Sequence, residues 1–542
     1  MPEWLEKAVF YEIYPQTFFD SNGDGIGDIQ GIIEKLDYVK GLGCNALWLN
    51  PCFDSPFKDA GYDVRDFKKT APRYGTNEDL FRLFDEVHKR DMRIILDLVP
   101  GHTSEEHEWF QESKKISPND ELKNRYIWTN SWFVWTIDGL KFIAGEAERD
   151  GCYIINFFKC QPALNFGFFN RTQDWQMPHD HPDCIATREA LKDIMRFWLK
   201  GAGGRRGCDG FRVDMADSLV KFDDNQKSAT SLIWRNIREM LDAEFPEAAL
   251  VSEWSCPPQA LKAGFHADFL LDHPNSAYRS LIRDYENCGE NNSYFKKDGN
   301  GDITRFLSQY MPWYEETKNS GFISLITGNH DTPRISHNLT NDELALAYAF
   351  FFTMPGVPFL YYGDEIGMRY LYHLPTKEGG YGRTGSRTPM QWRTKNKEHR
   401  TMNSEQLAMS NMGFSTASPE LLYLPVDSEP SAPSVEEQES DPSSLLNSVK
   451  ALLRLRNIEE DLQSKANLEI INAPSASSGD RSFVFKRGSC IIAVNPSGNN
   501  IFVNQEKLSV NKNPALLYSI GNCDYKNGEI KLESQSFGVW KV

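Results

Sequence analysis

The chain has 542 residues, of which 40% are hydrophobic, and its 59 basic and 76 acidic side chains give a net charge of −17. This length predicts several domains, and the apolar content excludes a disordered chain. The acidic balance disfavours nucleic acid and anionic lipid surfaces as partners.

The sequence carries no pattern typical of export or membrane insertion. No run of about 18 apolar residues predicts a spanning helix, and the N-terminus lacks the basic and apolar regions of a signal peptide. The ten cysteines lack the spacing of a zinc site or of a disulfide framework. We therefore expect a cytoplasmic protein with reduced thiols, a monomer or a small homo-oligomer, without a membrane partner.

Short apolar runs alternate with helical patterns through the first two thirds of the chain. The runs that predict strands lie at residues 8–14, 46–49, 92–99, 210–214, 249–252, 267–271, 324–327 and 358–362. Helical patterns lie between several of them, at residues 28–40, 78–89, 188–200 and 232–241. Eight strands in such alternation predict an α/β fold, the (β/α)8 TIM barrel.

The alternation breaks between residues 103 and 175. This aromatic-rich stretch is too long for an ordinary loop and predicts a subdomain inserted after strand 3, above the carboxyl ends of the strands. Residues 424–442 are predicted to form a surface excursion, and residues 444–456 the last barrel helix. Alternating runs beyond them predict a C-terminal antiparallel β-domain. The predicted domains are the catalytic barrel at 1–102 and 176–460, subdomain B at 103–175 and a C-terminal β-sandwich at 461–542.

Charged side chains stand at the ends of several predicted strands. Arg212 and Asp214 lie two residues apart in G-F-R-V-D and so share one face of an extended strand. Glu253 and Asp331 follow two later strands. A structural ion pair can explain one such group, but three carboxylates at one rim raise one another's pKa and destabilise a fold. They are expected where one acid is protonated and another ionised, as in glycoside cleavage.

Two histidines flank the same predicted rim. His102 ends the run D-L-V-P-G-H, and His330 precedes Asp331. Single histidines at strand ends are more often structural than catalytic, but beside these acids they suit hydrogen bonding to sugar hydroxyls. No closely spaced set of three or four zinc ligands occurs, which disfavours metal catalysis.

These residues lie in blocks that resemble a known family. D-L-V-P-G-H at 97–102, G-F-R-V-D at 210–214, V-S-E-W at 251–254 and N-H-D at 329–331 resemble the four ordered sequence regions of the α-amylase superfamily, glycoside hydrolase family 13. Y-E-I-Y-P near the start, A-G-Y-D at 60–63, Q-P-A-L-N at 161–165 and S-R-T-P-M-Q-W at 386–392 resemble its oligo-1,6-glucosidase and α-glucosidase branch. That branch includes sucrose isomerases, dextran glucosidases and trehalose synthases. The resemblance spans nearly the whole chain and is weakest after about residue 460.

The resemblance implies three catalytic carboxylates in a retaining glycosidase acting on a small α-glucoside. Asp214 would be the nucleophile that forms a glycosyl-enzyme ester. Glu253 would protonate the leaving oxygen and later activate water, and Asp331 would bind sugar hydroxyls and stabilise the oxocarbenium-like transition state.

The resemblance also implies residues that bind the sugar in the −1 subsite. Arg212 would keep Asp214 ionised and oriented. His102 and His330 would hydrogen-bond the sugar, with Tyr62 as a stacking platform.

Asp59 and Arg387 match the pair that closes the non-reducing end of this subsite in the exo-acting branch, which would make hydrolysis remove one glucosyl unit at a time. Two positions depart from the family pattern. Gly101 stands where asparagine usually precedes the histidine, so a side-chain amide that could orient its neighbours is missing. Met215 follows the nucleophile and matches neither residue that would indicate an α-1,4 or an α-1,6 preference.

Other activities stay open from the sequence. A transglucosidase or isomerase of the sucrose or trehalose type would pass the glucosyl group to a sugar instead of water. An endo-acting α-amylase is disfavoured by the match at Asp59 and Arg387. A binding protein that has lost catalysis is disfavoured because the three acids and Arg212 are present.

A second site is predicted near the N-terminus. The run D-S-N-G-D-G-I-G-D places Asp20, Asn22, Asp24, the Ile26 carbonyl and Asp28 at positions 1, 3, 5, 7 and 9 of a calcium loop. Position 12 is glycine, so the segment is not an EF-hand and would not act as a switch. The acids repel one another without a cation, which favours structural Ca²⁺ over a polar turn, and the resembling branch has a cation here. No organic cofactor is expected.

Overall fold

Eight parallel strands form a closed barrel. The structure, a computed structural model, describes the chain except for residues 135, 136, 138, 274, 275, 285–290, 393–410, 476, 477, 505–507 and 509–513. The barrel strands are β1 (Phe10–Ile13), β2 (Ala46–Leu49), β3 (Arg93–Leu98), β4 (Gly210–Val213), β5 (Ala249–Ser252), β6 (Ala267–Leu270), β7 (Phe322–Leu325) and β8 (Phe359–Tyr361). Their residues are buried on both faces, which explains why they appear in the sequence as mostly apolar runs.

The strand order brings the charged positions to one rim. Hydrogen bonds connect the strands in the order β7, β6, β5, β4, β3, β2, β1, β8, and Ile326 after β7 bridges Phe359 in β8, which closes the barrel. The register places Asp97 of β3 beside Arg212 of β4. The predicted TIM barrel is therefore confirmed, and residues at or just beyond the carboxyl ends of its strands meet above the barrel.

Helices connect and cover the strands. They are α1 (Pro15–Phe18), α2 (Ile29–Leu42), α3 (Asn77–Lys89), α4 (Glu108–Ser113), α5 (Pro182–Lys200), α6 (Ser228–Glu244), α7 (Pro257–Lys262), α8 (Arg279–Ile282), α9 (Ile303–Thr317), α10 (Asn341–Thr353), α11 (Val435–Glu439) and α12 (Leu445–Ile458). Local sequence fixes their ends. Asp28 caps α2, which ends at Gly43 with a left-handed φ of 103°. Thr76 and Asp79 form a capping box at the start of α3.

The segment between β3 and β4 lies over the carboxyl rim. It contains α4, a hairpin of Lys141–Ile143 with Tyr153–Ile155, and a tight turn over residues 156–161, which we call the 156–161 loop. The Asn156 amide donates to the Gln161 carbonyl at 3.2 Å and closes this loop. The Leu164 amide donates to the Gly101 carbonyl at 3.1 Å and ties the segment to the chain just after β3.

Two antiparallel sheets follow the barrel. Their strands are β9 (Leu468–Asn472), β10 (Phe483–Arg487), β11 (Cys490–Asn495), β12 (Ile501–Asn504), β13 (Ala515–Ile520), β14 (Cys523–Lys526), β15 (Glu529–Leu532) and β16 (Ser536–Lys541). One sheet has the order β9, β10, β11, β16, β13, and the other has the order β12, β15, β14. These sheets confirm the predicted antiparallel fold of the C-terminal region.

The C-terminal sheet is bonded to the barrel. Buried Arg487 of β10 donates to the Thr353 carbonyl at the end of α10 at 2.5 Å. The Phe483 ring of β10 lies 6.1 Å from the Phe350 ring of α10. Arg481 donates to the carbonyl groups of a loop that precedes α9, with Gly301 at 2.9 Å.

Some elements differ from the sequence expectations. The prediction that residues 424–442 lie on the surface is wrong in part. Leu424 and Val426, which lie in this otherwise polar stretch, are buried. Helices α9 and α10 lack a predicted pattern. Pro312 interrupts α9, and α10 is apolar and buried on almost every side, so neither shows a clear amphipathic stripe. The predicted last helix is present as α12 and packs against α10 and α2.

Within the described part of the chain, no helix combines the length and apolarity needed to cross a membrane. The nine described cysteines are free thiols, seven of them buried. The tenth, Cys288, lies outside the described residues.

Candidate active site

Arg212 stands at the centre of three carboxylates. Its Nη1 donates to Asp97 Oδ1 at 2.8 Å and to Asp214 Oδ1 at 3.2 Å, and its Nη2 lies 2.7 Å from Glu253 Oε2. The neighbouring strands β3, β4 and β5 supply these residues at or just beyond their carboxyl ends. The arginine side chain is only 1% exposed, so its attraction for the acids is weakly screened by water. One guanidinium thus holds together Asp97 and the two acids expected to react.

The backbone after Asp214 is folded toward Glu253. Met215 has φ 43° and ψ 47°, a left-handed conformation that is uncommon for residues other than glycine. Its amide donates to Glu253 Oε2 at 3.0 Å. The amide of Glu253 donates to the Val213 carbonyl at 3.0 Å, so the two acidic segments are bonded to each other. This strained residue fixes the separation of the two carboxyl groups.

The protonation of the acid pair follows from burial and repulsion. Burial and the charge of Glu253 raise the pKa of Asp214 well above its usual value, although Arg212 acts in the opposite direction. The two carboxyl groups repel each other beside a single guanidinium, and a proton on either of them relieves this repulsion. Such a pair offers one group that donates a proton and one that attacks as a nucleophile.

Tyr62 and His330 form a wall of the same site. The Tyr62 hydroxyl lies 3.0 Å from Asp97 Oδ2 and 2.6 Å from His330 Nε2, and the two rings stack with centroids 5.3 Å apart. Buried Glu12 lies 2.8 Å from His330 Nδ1. Burial lowers the pKa of His330 to about 3, so its imidazole is neutral at pH 7. Tyr62 therefore lines the cavity, and neutral His330 is buried behind it.

His102 faces the site from the segment after β3. Its Nε2 lies 2.8 Å from the Tyr62 carbonyl, and its Nδ1 lies 3.1 Å from the side-chain amide of Asn156. Burial lowers its pKa to about 4. Both ring nitrogens of this neutral histidine therefore have hydrogen-bonding partners within the protein.

Two arginines bind Asp331. Arg387 Nη2 and Arg383 Nη1 each lie 2.9 Å from Asp331 Oδ1. Burial alone would raise the pKa of Asp331, but the charges of the Arg387 and Arg383 guanidinium groups outweigh it and hold the pKa below its usual value. Asp331 is therefore ionised at neutral pH and can accept hydrogen bonds from sugar hydroxyls.

Arg383 also contacts Asp59. Its Nη2 lies 3.4 Å from Asp59 Oδ1, and Gln161 Nε2 donates to Asp59 Oδ2 at 2.8 Å. The predicted partner Arg387 makes no direct ion pair with Asp59 among the described side chains and binds Asp331 instead. This end of the site is therefore bridged by Arg383.

A cavity of about 300 Å³ joins these residues, a volume at the small end of ligand pockets. It is lined by Asp59, Tyr62, His102, Phe157, Phe158, Asp214, Met215, Glu253, Asp331 and Arg383. A second, outer cavity of about 370 Å³ shares Phe158 as a wall and includes Gly379, where an added Cβ would lie 3.0 Å from Asp59 Oδ1. Asp59 and Arg383 thus stand at the end of the inner cavity that is nearest to the outer one.

Sequence reasoning missed several residues of this pocket. Arg383 lies in an irregular turn, where neither periodicity nor strand position marks it. Phe157 and Phe158 belong to the 156–161 loop, and nothing in the sequence distinguished them from the other aromatic residues of the insertion. The sequence indicated Asn156 only indirectly, through the missing side chain at Gly101.

The predicted calcium loop has other partners in this structure. Asp20 accepts hydrogen bonds from the amides of Gly23 at 2.8 Å and Gly25 at 2.7 Å, and Asp28 accepts from the Gly31 amide at 2.6 Å. In the described part of the chain, the only three His, Cys, Asp or Glu side chains with ligand atoms within 4.8 Å of one another are Glu459, Asp461 and Cys490. Asp20, Asp24 and Asp28 do not form such a group among the described side chains.

The calcium site stays a prediction from the sequence, and melting of the protein tests it. If the loop closes around calcium, added Ca²⁺ will raise the Tm, and Asp24→Ala, at an exposed ligand position, will remove the rise. A Tm that is the same in excess Ca²⁺ and in chelator would mean that backbone amides satisfy the loop.

A TIM barrel with acids and neutral histidines at its carboxyl rim is the architecture of many carbohydrate-active enzymes. The family model for the α-amylase catalytic domain matches residues 12–465. The chain therefore belongs to the α-amylase family, glycoside hydrolase family 13, as its sequence blocks predicted.

Particular relatives span several activities. The chain is 32% identical over 502 residues to a trehalose synthase/amylase TreS of Mycolicibacterium smegmatis, covering 84% of this chain and 76% of that protein. It is 31% identical over 526 residues to an oligo-1,6-glucosidase of Heyndrickxia coagulans, covering 84% and 86%. The solved structure of an inactive MutB mutant with isomaltulose shares the fold, with a TM-score of 0.77 at 22% identity over the full length of both chains.

Proposed function

We propose that the protein is a retaining, exo-acting α-glucosidase that hydrolyses short α-glucosides. The observation that carries this proposal is the single guanidinium of Arg212 bound to both Asp214 and Glu253 at the cavity floor. An inverting enzyme needs its two carboxyl groups farther apart, with room for a water between them. Two acids on one guanidinium suit a nucleophile and an acid/base that act on the same bond.

In the first step, the protonated carboxyl of Glu253 gives its proton to the glycosidic oxygen. A carboxylate oxygen of Asp214 attacks the anomeric carbon, the glycosidic bond breaks, and the aglycone leaves as an alcohol. The positive charge that develops on the sugar ring is stabilised by ionised Asp331, which keeps one oxygen on the arginines and faces the cavity.

In the second step, the Glu253 carboxylate removes a proton from water, and the water oxygen attacks the anomeric carbon. The ester to Asp214 breaks, the Asp214 carboxylate is regenerated, and glucose leaves with its α configuration retained. Arg212 contacts both acids, so its charge stays balanced as the proton and the negative charge move between them.

Exo action rests on the closed end of the cavity. Arg383 connects Asp59 to Asp331, and the hydrogen bond from Gln161 fixes Asp59 from the 156–161 loop. A glucosyl unit that binds at Asp331 would then meet this bridge where a further sugar would have to lie. The enzyme would release one glucose at a time from a non-reducing end.

Replacing Arg383 by alanine is expected to open this end. Loss of the two contacts of this partly exposed arginine, worth about 1.5–3 kcal/mol together, should lower kcat/KM on a disaccharide roughly 10- to 100-fold. Initial products from maltoheptaose, separated by chromatography, should then include maltose as well as glucose. Arg205→Ala, which removes a surface arginine paired with Glu78 and Asp85, is the matched control. Glucose as the sole first product of the Arg383 variant would contradict this role.

A second candidate is transfer of the glucosyl group to another sugar, giving isomerisation or transglucosylation. Phe157, Phe158 and Met215 line the cavity beside the reacting acids, and such apolar side chains reduce the access of water to the glycosyl-enzyme. The similarity to a trehalose synthase/amylase supports the same possibility.

Product identification with maltose, isomaltose, sucrose and trehalose tests both candidates. We expect α-glucose as the first-formed anomer from p-nitrophenyl α-glucoside, whose only glucose is the transferred unit, as monitored by NMR before mutarotation. Conversion of sucrose or trehalose to an isomer without net glucose release would support the second candidate. Release of β-glucose from p-nitrophenyl α-glucoside would rule out the retaining mechanism.

A further inference from the structure

Gly101 leaves space that a neighbouring side chain fills. A Cβ built on this glycine would lie 3.0 Å from Asn156 Nδ2, with no other atom within 4 Å. The backbone of Gly101 is not left-handed, so its conformation is open to other residues. The side chain of Asn156, and not backbone strain, is therefore what favours glycine at this position.

Asn156 makes three hydrogen bonds from this place. Its Nδ2 donates to the Gly101 carbonyl at 3.0 Å and lies 3.1 Å from His102 Nδ1. Its Oδ1 accepts from Lys221 Nζ at 2.9 Å. Lys221 is an ammonium donor and has no acceptor to offer, so it determines which end of the amide is oxygen and directs the NH₂ group toward Gly101 and His102.

Two contacts agree on the tautomer of His102. An amide NH₂ can only donate, so His102 Nδ1 must be the acceptor and the neutral ring must carry its proton on Nε2. The Nε2–H donates to the Tyr62 carbonyl at 2.8 Å, and the ring lines the cavity. Both ring nitrogens are thus bonded within the protein, and the contacts from Asn156 and Tyr62 fix the orientation of the ring at the cavity wall.

We propose that Asn156 is a positioning residue that replaces the side-chain amide missing at Gly101 and holds the neutral ring of His102 in place at the wall of the sugar site. The 156–161 loop thus supplies the side-chain amide that the residue before His102 lacks. This inference rests on the proposed function, since it names how that site orients one of its sugar-binding groups.

A reciprocal exchange tests the proposal. Asn156→Ala removes the donor to His102 and should lower kcat/KM on the preferred disaccharide about 10-fold, the effect of one lost hydrogen bond, mainly through KM. Gly101→Asn alone should also lower it, because the new side chain meets Asn156 at 3.0 Å. The double variant, with alanine at 156 and asparagine at 101, should recover most of the wild-type kcat/KM. A double variant no better than Asn156→Ala would overturn the proposal.

The variant Asn156→Asp gives a readout that a purely structural role would not move. It keeps the shape of the side chain but puts an acceptor and a negative charge against His102 Nδ1, which favours the protonated imidazole. The pH profile of kcat/KM should gain an ionisation from His102 above its present pKa of about 4. An unchanged profile would count against the tautomer assignment.

Binding of 1-deoxynojirimycin, measured by calorimetry, separates this proposal from the proposed function. If the wild-type protein binds this glucose analogue but cleaves no α-glucoside, the proposed function fails. The loss of binding in Asn156→Ala and its recovery in the double variant are then measured as changes in Kd. We expect a Kd about 10-fold higher for Asn156→Ala and near wild type for the double variant. Equal Kd values for all variants would overturn the positioning role. Tm values confirm that each variant is folded.

Discussion

Asp214→Gly is expected to lower kcat on α-glucosides about 10⁴-fold or more, because no other group can form the glycosyl-enzyme ester. The Tm should not fall. Asp214 and Glu253 repel each other beside Arg212, and burial raises the pKa of Asp214, so its removal relieves a cost to the folded state. Initial rates on p-nitrophenyl α-glucoside and thermal melts measure the two effects.

Sodium azide gives this variant a distinctive product. The anion can enter the space of the lost carboxylate and attack the anomeric carbon once, from the face opposite the leaving group. The product should be β-glucosyl azide, with inverted configuration. Asp242→Asn, which removes an exposed acid paired with Arg238, is the control and should keep full activity. An Asp214 variant that still hydrolyses glucosides at the wild-type rate would exclude this residue as the nucleophile.

Glu253→Ala is the second large effect, with an expected loss of about 10²- to 10⁴-fold that depends on the leaving group. Disaccharides need a proton on the departing oxygen and should lose most, whereas p-nitrophenyl α-glucoside has a good leaving group and should lose less in its first step. Rate measurements on both substrates, with a burst of nitrophenol for the second, separate the two roles of Glu253.

Azide should restore turnover of the Glu253 variant through the glycosyl-enzyme. Two successive inversions then give α-glucosyl azide, the opposite anomer from that of the Asp214 variant. Glu316→Gln, at an exposed ion pair with Lys262, controls for the loss of charge. If the same azide anomer came from both variants, the two acids would not hold the separate roles assigned to them.

The barrel and the grouping of its acids were predictable, because the order of the strands determines which residues lie side by side at the rim. Asp97, Asp214 and Glu253 each stand at or just after the end of an apolar run, and parallel neighbours bring such ends together. The contacts of Arg383 were not predictable, since its turn has no periodicity and its partners are distant in sequence. The structure places Arg383, and not the expected Arg387, in contact with Asp59.

The 156–161 loop shows a different limit of sequence reasoning. The departure at Gly101 was visible, but its compensation lies 55 positions away in Asn156. Local patterns identify a missing group without indicating where its replacement lies. In the N-terminal loop, one local pattern is compatible with two structures. The spacing that suits calcium ligands also suits carboxylates that accept hydrogen bonds from backbone amides.

The hydrogen bonds from the C-terminal sheet to the barrel determine which part of the chain can be inherited or exchanged as one unit. Arg487 is wholly buried and donates to Thr353 at the end of α10, and Phe483 packs on the same helix. A barrel separated from these strands would expose an apolar helix and leave the Thr353 carbonyl without its donor Arg487. Although the site residues all lie before residue 400, the region that evolution or an engineer can transfer as one folding unit therefore extends through the C-terminal strands.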